Sequence, residues 1–167
     1  MKKRFFHYAR HLLLPAFVFG SITGVLTAFA VTLYKVAAHY VLSLSERGYA
    51  YLSLHWYLIF PLFAILFAFS FLLAYIYKKI PNLKGGGIPT SIGILRGIIT
   101  FKWLRNLIGV FFLSLSSFLV GVPLGNEGPA VQMGTAIGRG AVFSFAKKNK
   151  AWDRYSMTGG AGAGFSV

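Results

Sequence analysis

The chain has 167 residues, 56% of them hydrophobic and 17% aromatic, with a mean hydropathy of +0.66 and only 12% charged residues. A soluble domain usually carries about 25% charged residues, so the composition argues for an integral membrane protein, which the apolar segments taken below make all-α and multi-pass. Seventeen Lys and Arg face only three acids, Glu46, Glu127 and Asp153, for a formal charge of +14; the cations sit at the ends of apolar segments, where anionic headgroups attract them, which argues against nucleic acid as a partner.

The start, "MKKRFFHYARH", resembles the basic region of a signal peptide, but the apolar run behind it is too long for one and carries no convincing cleavage site. Residues 1–11 are therefore expected to form a short amphipathic cytoplasmic helix, with Lys2, Lys3, Arg4 and Arg10 at the membrane surface. From Leu12 to Tyr34 there are 23 residues without a formal charge, enough to cross the ~30 Å hydrocarbon core at ~1.5 Å per residue. Apolar character resumes after Lys35 and reaches Leu44, predicting a long tilted helix. The stretch "SLSERGYAYLSLH" then reads as a loop.

Residues 48 to 77 contain no Lys, Arg, Asp or Glu. Their aromatic core predicts a second span, with Trp56, Tyr57, Tyr75 and Tyr77 as interfacial anchors. Lys78, Lys79 and Lys84 come next, and together with the basic N-terminus they place both ends of this hairpin on the cytoplasmic side. The next segment, 85 to 101, is apolar but short and rich in glycine. Residues 106 to 126, uncharged and 21 in number, predict a third span. Residues 129 to 146 predict a short helix dense in small residues, the kind that packs closely inside a bundle. A basic stretch, "KKNKAWDR", precedes a last apolar segment of thirteen residues, 155 to 167, too short to complete a span.

Two glycine-proline interruptions stand out, "GGGIP" at 85 to 89 and "GNEGP" at 125 to 129. In hydrocarbon, broken helices are tolerated only inside protein or beside a watery cavity. In each motif glycines let the backbone turn, and a proline suits the first helical turn because its missing donor costs little there. Each proline thus opens a helix N-terminus, with free N–H groups and about half a unit of positive charge. Two such ends brought together bind a small anion without a cationic side chain, and paired interruptions of this kind point to a transporter's binding site.

Glu127 lies within the second motif. A carboxylate at the bilayer centre costs at least ~2.5 to 3.5 kcal/mol, which makes an intramembrane acid a functional candidate. Ionised, it can occupy the anion site as a tethered competitor; protonated, a state that burial favours, it releases the site. The plain alternative is a glycine-proline loop with a glutamate facing water at the membrane surface. His7, His11, His39 and His55 show no metal-ligand spacing. With neither cysteine nor a nucleophile-base constellation nor a phosphate-loop lysine motif in view, neither an enzyme nor a metal or other cofactor is expected.

These residues resemble the CLC family of voltage-gated chloride channels and proton-coupled anion exchangers. "GGGIP" is similar to the family's G-S-G-I-P and "GNEGP" to its G-[K/R]-E-G-P, in the same order, and the flanking "LSLSSFLVGVPLG" and "PAVQMGTAIGRG" look like the family's sequence around its gate. The resemblance implies an inverted-repeat fold of tilted, often incomplete helices, of which this chain covers most of the first repeat, and a homodimer with a pore in each subunit. It implies that Glu127 is the gating glutamate and proton acceptor, that Gly125, Asn126, Gly128 and Pro129 shape the outer anion site, and that Gly85, Gly86, Gly87, Ile88 and Pro89 line the inner, cytoplasmic approach. Chloride or a similar small anion, with protons, is then the transported cargo across the cell (inner) membrane.

Two positions depart from the pattern: Gly86 replaces the usual serine at the central anion, and Asn126 replaces the usual Lys or Arg. The second repeat, its G-x-F-x-P motif, the inner-gate tyrosine, the inner proton-transfer glutamate and the dimer interface are expected beyond Val167. Residues 12–167 thus read as an incomplete transmembrane domain. The alternative is a truncated, non-transporting membrane polypeptide that only associates with other membrane subunits.

Overall fold

The computed structural model describes residues 14–84, 86–121, 125–145 and 150–167. Among these the regular structure is entirely helical: α1 (Leu14–Leu54), α2 (Ile59–Lys79), α3 (Ile88–Leu95), α4 (Trp103–Leu119), α5 (Glu127–Phe145) and α6 (Lys150–Ser166), with 3-10 turns at Trp56–Leu58 and Pro81–Leu83. The amphipathic helix expected over residues 1–11 lies outside the described residues.

The segment 43–54, expected as a loop, is helical: α1 runs unbroken for 41 residues, roughly 60 Å. Serines, one glutamate and one glycine made it look like a loop, but none of these stops a helix when the remaining residues carry no proline. Tyr49 donates its hydroxyl to the Val120 carbonyl at 2.5 Å, which holds this last part of α1 against the end of α4. The turn comes at His55, whose amide closes on Leu52 and whose carbonyl accepts from Leu58. The second span forms as expected, and α1 and α2 are both long and apolar enough to cross a membrane.

The third predicted span, 106 to 126, is shifted. Helix α4 starts three residues earlier, at Trp103, and ends at Leu119. The chain leaves it through Val120 and Gly121, and Gly121 adopts φ +80°, a left-handed conformation open to glycine at little cost. Helix α6 likewise begins earlier than the apolar run, at Lys150, so its 17 residues exceed the thirteen foreseen; Asp153 in its first turn suits the positive helix end.

One face of α1 builds the core. Thr23, Thr27, Val31, Tyr34, Ala38 and Ser45 are buried along it at helical spacing, packed against α4, α5 and α6. Thr23 is accommodated there because its hydroxyl bonds back to Phe19 at 2.7 Å within its own helix. Helices α5 and α6 make the most extensive contact, backbone against backbone. A Cβ at Gly134 would collide with the Gly160 carbonyl, one at Gly138 with the Ser156 carbonyl, and one at Gly164 with the Ala130 carbonyl. Helix α2, in contrast, buries none of its residues.

Candidate functional site

The two glycine-proline interruptions meet in space. Pro89 sits in the first turn of α3 behind Gly87, and no side chain caps that end. Ser91 returns both its amide, at 3.0 Å, and its hydroxyl, at 2.8 Å, to the Gly87 carbonyl, so the carbonyl is turned back into the helix. Across from it α5 begins at Glu127, with Asn126 accepting from the amide of Ala130 at 3.2 Å. Gly87 and Gly128 touch: a Cβ on Gly87 would overlap the Gly128 carbonyl, and a Cβ on Gly128 would lie 3.6 Å from the Gly87 nitrogen. Only glycine permits this approach at position 87.

Both helix starts line one cavity of about 490 Å³. Of the residues singled out in the sequence, Gly86, Gly87, Ile88, Pro89, Gly125, Glu127, Gly128 and Pro129 border it. Asn126 is exposed and is not part of the lining. Gly85 lies outside the described residues. Among the described residues no Lys or Arg borders the cavity; the positive groups turned to it are the first amides of α3 and α5, which a helix leaves without internal partners. Glu127 is exposed and stands at the first position of α5, where a carboxylate is favoured by the same field.

Sequence reasoning missed part of the wall. Tyr77, Ser114, Ser117 and Gln132 also line the cavity. The signal for the α4 residues was present: Asn106, Val110, Ser114 and Phe118 are the buried residues of that helix, each four positions from the last, which puts two polar groups on an inward face. Gln132 is buried and donates from Nε2 to the Asn82 carbonyl and to Asn106 Oδ1, both at 3.1 Å. That bond joins α5 to α4 directly behind the cavity.

The arrangement holds no nucleophile beside a base. Helix-start amides are groups to which a small anion can bind, and the Glu127 carboxylate stands at one of the two starts. Residues 69–167, more than half of the chain, match the family model described as voltage gated chloride channel. The chain belongs to this CLC family. Among curated proteins it is similar to an H(+)/Cl(-) exchange transporter ClcA of Vibrio parahaemolyticus, 31% identical over 90% of this chain and 32% of the relative. It is similar also to the transporters of the same name from Klebsiella pneumoniae, 28% identical over 92% of this chain and 33% of the relative, and Vibrio cholerae, 31% identical over 87% and 32%. The CLC chain thus spans about a third of the length of these relatives. No solved structure matches it.

Proposed function

We propose that this CLC chain contributes the first half of the path of an anion transporter in the inner membrane, carrying chloride or a similar small anion, with Glu127 as its gate and proton acceptor. Residues 12–167 form an incomplete transmembrane domain of that transporter, the basic segment ends face the cytoplasm, and the complete protein is a homodimer. The observation that carries the reading is the contact of Gly87 with Gly128, which brings two helix starts to one cavity beside Glu127, the only acid of its lining among the described residues. Family membership and the names of the exchange transporters it resembles support the cargo.

In this mechanism the ionised Glu127 carboxylate sits at the positive start of α5 and excludes the anion by like charge and by occupancy. A proton removes the charge, the side chain leaves, and an anion takes its place against the amides. Flux therefore rises as the pH is lowered. The test is Glu127→Gln in the full chain reconstituted in liposomes. The amide mimics the protonated state, so anion flux at neutral pH is expected to reach the wild-type level seen at acid pH and to lose its pH dependence. A variant with the wild-type rate and the wild-type pH profile rules out the gating role.

A further inference from the structure

A second cavity, of about 400 Å³, lies where α2 ends and α4 begins, lined by Lys79, Ile80, Pro81, Asn82, Thr100, Phe101, Lys102, Arg105 and Asn106. It differs from the Gly87–Gly128 cavity in its charge: among the described residues three cations and no acid border it. It also contains the start of α4, whose N-cap residue Lys102 provides no side-chain cap, leaving the first amides of a 17-residue helix without a partner from it.

The floor supplies the observation that points to a ligand. Asn106 is 2% exposed. Its Oδ1 accepts from Gln132 at 3.1 Å, which settles the orientation of the amide, and its Nδ2 has no hydrogen-bond partner. A buried amide donor without a partner costs about 1–3 kcal/mol. Asn106 borders this groove and not the Gly87–Gly128 cavity, so of the two cavities the groove is the one that its buried, unpartnered amide adjoins. Gln132 on the other side belongs to the anion cavity.

We infer that this groove binds the phosphodiester headgroup of an anionic phospholipid, held by Lys79, Lys102, Arg105, the first amides of α4 and Asn106 Nδ2. A membrane lipid, and not a free ion, fits the surroundings. The groove opens at the foot of α2, whose Phe67, Phe71 and Tyr75 are exposed, and Lys79 lies 4.7 Å over the Tyr75 ring. A headgroup in the groove thus leaves its acyl chains along an apolar helix face. Phe101 and Ile80 form the apolar part of the groove itself. Basic pockets of this kind at the ends of membrane helices retain anionic headgroups, each Lys or Arg adding about 1 kcal/mol. The inference rests on the chain lying in a membrane, not on the gate.

The experiment uses the full chain purified in a neutral detergent and follows its melting temperature with added dioctanoyl phosphatidylglycerol, dioctanoyl phosphatidylcholine or inorganic phosphate. Phosphatidylglycerol is expected to raise the melting temperature, with the other two giving no shift at the same concentration. Lys102→Gln with Arg105→Gln, both exposed in the fold, is expected to raise the half-maximal phosphatidylglycerol concentration on the order of tenfold to thirtyfold. Lys78→Gln, which removes one positive charge outside the groove, is the control for loss of charge elsewhere on the chain and is expected to bind as wild type. An equal shift with inorganic phosphate overturns the lipid assignment. A double variant that binds as wild type, or a Lys78→Gln that weakens as much, overturns the groove. Glu127→Gln keeps the phosphatidylglycerol shift whether or not the gate is correctly assigned, so the two readings fail separately.

Discussion

Helices α2 and α5 are of similar length, 21 and 19 residues, and treat the membrane in opposite ways. Helix α2 is the greasier, with Phe60, Phe63, Phe67 and Phe71 on its surface, and it buries nothing. Helix α5 is poorer in large apolar groups, yet every residue from Ala130 to Ala136 is buried, as are Gly138 and Gly140. In water the ranking would be reversed. In lipid a phenyl ring gains little by leaving acyl chains for another helix, so close packing and not hydrophobicity decides what goes inside. Small residues let α5 approach α6 to backbone contact, and this packed helix is the one whose start borders the Gly87–Gly128 cavity.

Changes to α5 should therefore cost far more than changes to α2. Gly134→Leu carries the largest expected effect, because the new side chain meets the Gly160 carbonyl and, at 2.9 Å, Thr27 Cγ2 of α1. Overpacking at one site costs about 1–3 kcal/mol, and here two neighbouring helices must both move. A loss on the order of 3 kcal/mol or more is expected in a reversible unfolding measurement in mixed micelles. A loss below about 1 kcal/mol would mean that α5 and α6 do not meet as described.

Gly87→Ala comes next, and acts on the cavity more than on the fold. Its methyl cannot coexist with the Gly128 carbonyl, so the two helix starts must separate. Anion affinity, read by calorimetry with chloride, is expected to fall roughly tenfold, equivalent to about 1.4 kcal/mol. The neighbouring Gly86→Ser is the contrast. A Cβ at Gly86 meets nothing within 4 Å, so the hydroxyl fits without strain and adds a donor to the cavity wall. Stability is expected to stay within about 0.5 kcal/mol of wild type, while the chloride-to-nitrate preference in liposome flux changes. An unchanged preference removes Gly86 from the selectivity path.

Much of this contrast could be read in the residues. The two glycine-proline motifs, the small-residue pattern of α5 and the apolar α2 all announced their places in the fold, because helix starts and close packing in lipid leave local signatures. Helix ends were read less well. Composition suggested a turn in residues 43–54, but a helix ends where its backbone bonds are taken over, and that happens only at His55, with Tyr49 clasped to Val120. The meeting of Gly87 with Gly128 and the link from Gln132 to Asn106 join residues 41 and 26 positions apart. No local pattern encodes such pairings. Asn106, buried with one end of its amide free, looked in sequence like one polar residue in an apolar run.

The smallest expected effect falls on α2, and it tests the other half of the comparison. Phe67 is 68% exposed and its ring stands edge-on to Phe71 with centroids 5.0 Å apart. Phe67→Ala removes that pair, but both rings are exposed in this chain, and where lipid covers them an unfolded helix left in the bilayer keeps much the same surroundings. The loss is expected to be below about 0.5 kcal/mol, as for other exposed sites. A loss above about 2 kcal/mol, measured in the same micelles, would need a cavity to be opened against packed protein. The face of α2 would then be covered by another protein surface in the assembled transporter, and its aromatic residues would have to be counted with the tight contacts of α5 instead of with the lipid.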